Sequence, residues 1–182
     1  MQLRNNKARY GAIAQSLHWL SALLVVLAWT LGVLGDELPK GGLRELGNLV
    51  HMSAGEAIVA LLLLRVVWRL IDPPPRPIAA EGAPYFDLLA KFMHFALYAL
   101  LILVPVWGVI TAFTGGEALQ VFRLFEIPSP WLRDKQFEEA ASEIHELLAH
   151  TLIALAALHA IAALAHHFHK KDATLSRMLP WA

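Results

Sequence analysis

The stretch that decides the fold is Glu143–Lys171, "EIHELLAHTLIALAALHAIAALAHHFHKK", which holds six of the chain's nine histidines. From Leu147 to Phe168, about 22 residues, there is no Asp, Glu, Lys or Arg, and about 20 apolar residues suffice for a helix to cross a bilayer. An imidazole inside a membrane is costly without a partner, so each of these histidines is a candidate for function.

The rest of the chain agrees with a membrane setting. Its 182 residues are 57% hydrophobic and 16% charged, too little charge for a soluble domain of this size. There is no cysteine, which excludes disulfides, iron–sulfur clusters, thiolate ligation of haem and c-type attachment. Zero formal net charge and the lack of a Gly-rich phosphate loop argue against a nucleic-acid partner. The opening segment, "MQLRNNKARYGAIAQSLHWL", is basic and then apolar. Its apolar run continues to Gly35 without a cleavage site, which predicts a retained anchor.

Four spans follow, at about 13–34, 46–70, 88–113 and 143–169, which predicts an all-α integral membrane four-helix bundle forming one domain over 1–182. Glu56, Arg65 and Arg69 interrupt the second span, Pro105 lies inside the third, and "DPPPRP" at 72–77 ends the second. With a cytoplasmic N-terminus, the inner side holds Arg4, Lys7, Arg9, Arg65, Arg69, Arg76, Lys91, Lys170, Lys171 and Arg177. The outer side holds Lys40, Arg44, Arg123, Arg133 and Lys135. Ten against five places both termini in the cytoplasm, with an outer connection over 117–142 folding across the bundle.

Spacing sorts the histidines. His145 and His159 share one helix face about four turns, or ~21 Å, apart, which suits two sites stacked across the membrane. His150 faces the opposite way. His51 is level with His145, and His18 is level with His159, with His94 competing for that inner position. A flat macrocycle edge-on to a helix needs small residues one turn from its ligand. His18 has Ala14 and Ala22, His51 has Gly47 and Gly55, His145 has Ala141 and Ala149, and His159 has Ala163 opposite Leu155. His94 has Ala90 but then Tyr98, and His150 has Glu146, so both fit less well. Small residues also serve ordinary helix packing. Two pairs, His18/His159 and His51/His145, point to two non-covalently held haem b groups with bis-histidine iron ligation. The rival is a zinc or copper site in "HHFH" at 166–169, where adjacent histidines on a helix diverge. Arg65 or Arg69 is a candidate partner for a haem propionate, against simple snorkelling to the headgroups.

The residues resemble the bacterial dihaem cytochrome b561 family, in particular its small four-helix members that include superoxide oxidase. "LHWL" at 17–20, "HMSAG" at 51–55, "RVVWRL" at 65–70 and "HELLAHTLIALAALHAIAALAHHF" with "KDATLSRMLP" carry the resemblance across nearly the whole chain. It implies the same four ligands, His18, His51, His145 and His159. It also implies a multi-pass protein of the bacterial inner membrane, in which superoxide is oxidised at the periplasmic side and ubiquinone is reduced at the inner side. By similarity, His166 is a quinone contact, with His94 and Ser16 behind it. The different-class alternative is a non-enzymatic electron-transfer subunit of a membrane dehydrogenase or hydrogenase, or service to another periplasmic redox partner. The outer segments carry Asp36, Glu37, Glu45, Glu117, Glu126, Asp134, Glu138 and Glu139 against five cations, which does not favour an anionic substrate.

Overall fold

The computed structural model describes residues 2–76, 78 and 84–180. Four long helices dominate: α1 Ala12–Leu34, α2 Gly42–Ile71, α3 Pro84–Thr114 and α4 Lys135–Ala165, the last running on into a π-helical turn at His166–Lys170. A two-stranded antiparallel hairpin, β1 Leu119–Val121 and β2 Phe125–Ile127, lies between α3 and α4 and adds a small β element to the all-α expectation.

Ala12–Leu34, Tyr85–Thr114 and Lys135–Lys170 are each long and apolar enough to cross a membrane. The charge-bearing α2 is not among them, but it travels the full length of α1. At its end, the backbone N–H of Asn5 donates to Asp72 at 2.7 Å, and the Asn5 amide donates to the Asp72 carbonyl at 2.9 Å. Large apolar side chains such as Leu23, Val67, Phe95 and Ile161 point outward, the surface that lipid requires.

Helix limits differ from the sequence reading mainly in the fourth helix, which starts at Lys135 rather than 143. Asp134 caps it by accepting the Phe137 N–H at 3.0 Å, and a Lys135–Glu139 pair follows one turn later. Local capping therefore extends the helix beyond its apolar part, and the outer connection is shorter than the expected 117–142. Ser129 and Asp134 tie that connection to the end of α3 by donating to the Phe113 and Thr114 carbonyls. The third helix also begins earlier than expected and runs unbroken through Pro105. The second ends at Ile71 before the prolines, as read; Pro77 of that run lies outside the described residues.

Packing is strongest within two antiparallel hairpins, α1 with α2 and α3 with α4, and sparser between them. The buried cluster at the centre of the bundle takes one side chain from each helix: Val25, Ile58, Leu100 and Leu152. Val25 follows His18, Ile58 follows His51, and Leu152 lies midway between His145 and His159, each by seven positions, or about two turns. An apolar layer thus separates two levels of histidine.

Both chain ends meet on one face. Tyr10 N–H donates to the Arg177 carbonyl, the Arg9 guanidinium to Leu179 and the Trp19 indole to Met178. The β-hairpin lies at the opposite face.

Candidate functional site

On the hairpin side, His51 of α2 and His145 of α4 face each other across an apolar cleft between the two helix pairs. Their ring centroids are 6.1 Å apart and the rings are nearly perpendicular. Gly55 and Ala149, each one turn along from its histidine, line the cleft, with Ile58 and Leu152 below. His51 Nδ1 donates to the Ala28 carbonyl at 2.8 Å, and His145 Nδ1 donates to the Val104 carbonyl at 2.9 Å. A carbonyl only accepts, so both rings carry their proton on Nδ1 and leave Nε2 free as a ligand.

On the termini side three rings gather. His18 lies 6.4 Å from His159, and His94 lies 5.4 Å from it. His94 donates from Nδ1 to the Ala90 carbonyl at 2.6 Å and is exposed. The Arg65 guanidinium lies 3.3 Å from His18 Nδ1 and over the Tyr98 ring. A guanidinium only donates, so here Nδ1 of His18 is the acceptor, the reverse of the hairpin-side arrangement. Arg69, in contrast, is exposed.

These spacings can be tested against a shared metal. Two imidazoles in line on one ion, with bonds of about 2 Å and ring nitrogens about 1.1 Å from their centroids, stand about 6.3 Å apart. His51/His145 and His18/His159 fit that spacing; His94/His159 is about 1 Å short of it. The donor set, the small residues and the apolar cleft fit a b-type haem on the hairpin side. Among the described residues no group of three His, Cys, Asp or Glu side chains converges as a metal cage, so the "HHFH" cluster does not assemble the zinc or copper alternative.

The family model described as prokaryotic cytochrome b561 matches residues 9–181. The chain belongs to the prokaryotic cytochrome b561 family. Cytochrome b561 homolog 2 of Escherichia coli (strain K12) is 34% identical over 180 residues, covering 98% of this chain and 95% of the relative. The probable superoxide oxidase CybB of Yersinia pestis is 32% identical, covering 94% and 96% respectively. Cytochrome b561 homolog 1 of Escherichia coli (strain K12) is 31% identical, covering 94% and 97%. Cytochrome b561 proteins of this family are transmembrane electron-transfer proteins that bind b-type haem and work with quinone or other redox partners. With its membrane-length helices, this one is a multi-pass protein of the bacterial inner membrane.

The remaining sequence candidates join neither histidine pair. His150 accepts from the Trp29 indole at 3.3 Å and approaches Glu146 at 3.9 Å. Ser16 is exposed. His166, at the end of α4, bonds Asp172 through Nδ1 at 2.6 Å, and Asp172 also accepts the Thr174 N–H at 2.8 Å. Burial draws the Asp172 carboxyl upward, but bonds from Thr174 and His166 outweigh it and hold it down to about 2. Asp172 was not among the residues picked out from sequence. It is six positions from His166, and only the left-handed turn at Lys171 (φ 52°) brings it back.

Proposed function

We propose that this protein carries electrons across the inner membrane, oxidising superoxide at the periplasmic face and reducing ubiquinone at the cytoplasmic face. The face where both termini meet is the cytoplasmic one in this reading, because it gathers ten of the fifteen lysines and arginines. His51 and His145 hold an outer haem b; His18 and His159 hold an inner one. The observation that carries this is the pair of ring spacings, 6.1 and 6.4 Å, set on either side of one apolar layer. When bound, the two haems supply one-electron redox chemistry at iron.

The chain's own residues do the rest. Ala28 and Val104 carbonyls fix the outer imidazoles for ligation through Nε2. Arg65, already at the inner trio, is the candidate for a propionate ahead of exposed Arg69; turning to it releases Nδ1 of His18, whose proton then moves there and frees Nε2 to ligate. His166 meets the quinone. With Nδ1 committed to Asp172, its Nε2 is left to bond a quinone carbonyl and pass a proton there. His94 and Ser16, both exposed, are the secondary contacts. Two superoxide anions, each losing one electron to become oxygen, and two protons from the cytoplasmic side balance one quinone reduced to quinol.

The outer surface supports a second reading, an electron-transfer subunit for a protein partner. Arg133 and Lys135 are paired with Glu138 and Glu139, which reduces their pull on an anion. Purified protein mixed with potassium superoxide, with and without a soluble ubiquinone analogue, distinguishes the two. Superoxide oxidase activity requires rapid haem reduction and quinol formation. Haem that dithionite reduces and superoxide does not assigns the protein to the subunit class.

A further inference from the structure

We infer that Gly32 and Gly108 are positioning residues that, with the carbonyls of Ala28 and Val104, set the ring planes of His51 and His145 and so tune the outer haem. The inference rests on the reading that those two histidines ligate that haem.

The same device occurs twice, on different helices. In an α-helix the carbonyl of residue i accepts from the N–H of residue i+4. The helical donor to Ala28 is therefore Gly32, and the helical donor to Val104 is Gly108. In both places the imidazole N–H arrives at the second lone pair of the same carbonyl. The ring then lies against the glycine. A Cβ on Gly32 would stand 3.2 Å from Cε1 and 3.5 Å from Nδ1 of His51. One on Gly108 would stand 3.1 Å and 3.3 Å from the same atoms of His145.

A glycine in a membrane helix is often there to let two backbones approach. That is not what these two meet. Among the described residues, and apart from the glycine's own stretch of helix, the atoms within 4 Å of a Cβ on Gly32 belong to the His51 ring, and the three nearest to one on Gly108 all belong to the His145 ring. By contrast, a Cβ on Gly42 or Gly55 of α2 would meet nothing at that range among the described residues beyond its own helix. The space at Gly32 and Gly108 is shaped for imidazole, and any side chain there pushes the ring off its carbonyl by a few tenths of an ångström.

That displacement has an electronic consequence. An Nδ1–H held firmly by a carbonyl makes the imidazole a more basic ligand, which favours oxidised iron. Loosening the bond moves the potential upward. Two equivalent cradles, one per helix hairpin, act on the same haem from its two sides.

The test uses the full-length, haem-loaded protein in detergent, with Gly32→Ala, Gly108→Ala and, as control, Gly42→Ala. The expected result is a more positive midpoint potential and a shifted low-field EPR g value for the outer haem in the first two variants. The inner haem stays unchanged in both, and Gly42→Ala matches the unaltered protein. Loss of the outer haem alone in the first two also supports the inference. Unchanged potential and EPR in both overturn it. An outer haem that survives His51→Ala overturns the underlying ligand assignment instead. Where an alanine variant does not fold, resonance Raman on the unaltered protein decides. An axial iron–imidazole mode in the range of hydrogen-bonded imidazole supports the cradle, and a free-imidazole value overturns it.

Discussion

His166 and Asp172 are joined across the end of the fourth helix by a 2.6 Å bond from the ring Nδ1 to the carboxylate. The carboxyl, normally near 3.8, is held down to about 2, so its folded value lies below its unfolded one. Its contribution to stability is therefore complete above about 3.8 and is lost as pH falls towards 2. Quinone-coupled haem oxidation is expected to show no titration of Asp172 between pH 5 and 8. Asp172→Asn, which removes the charge that orients the imidazole, should slow that exchange roughly tenfold while both haems remain, on the scale of losing an orienting outer-shell partner. Stopped-flow spectroscopy with a ubiquinone analogue measures it, and an unchanged rate would remove Asp172 from the pathway.

His51→Ala and His145→Ala should each abolish the outer haem and spare the inner one. His18→Ala and His159→Ala should do the reverse, because bis-histidine ligation fails when either ligand goes. Pyridine haemochrome content and low-temperature spectra of the four variants report it, with two haems per chain expected in the unaltered protein.

His94 is the discriminating control at the inner site. Its ring is nearer to His159 than His18 is, yet its spacing is short for a shared iron. His94→Ala should retain both haems. Loss of the inner haem in His94→Ala but not in His18→Ala would transfer the ligand from the first helix to the third.

Arg177 binds three carbonyls of the termini face: Ala8 at 2.6 Å, Arg76 at 3.0 Å and Lys7 at 3.3 Å. Arg177→Ala is expected to cost about 1–3 kcal/mol, since bonds to a charged donor are the stronger kind and these are partly solvated. Arg177→Lys should recover little, because a lysine lacks the planar fork that spans three acceptors. Thermal unfolding followed by circular dichroism should show Tm lowered in both variants.

Reporters fix the orientation. A fusion after Ala182 should signal from the cytoplasm, and an insertion near Pro130 from the periplasm. The opposite pattern would overturn the lysine and arginine count.

Much of this molecule was legible in the chain because the physics involved is local. Long runs without fixed charge must form helices in lipid, where backbone groups bond only within the segment. The spacing of His145 and His159 along one helix face needs nothing beyond helical periodicity. The end of the second helix at Ile71 follows from the prolines after it. The start of the fourth helix at Lys135 was missed because a cap and an ion pair, rather than hydropathy, decide it. What no single segment could reveal is which histidines meet. Small neighbours favour His18 over His94 in the sequence, but only packing sets their rings 6.4 and 5.4 Å from His159. The same holds for Asp172, returned to His166 by one left-handed residue, and for Gly32 and Gly108. Those two glycines read as ordinary until the bundle lays an imidazole against each. Periodicity fixes which face of a helix a residue occupies, whereas partner, distance and ring proton depend on a neighbouring helix far away in the chain.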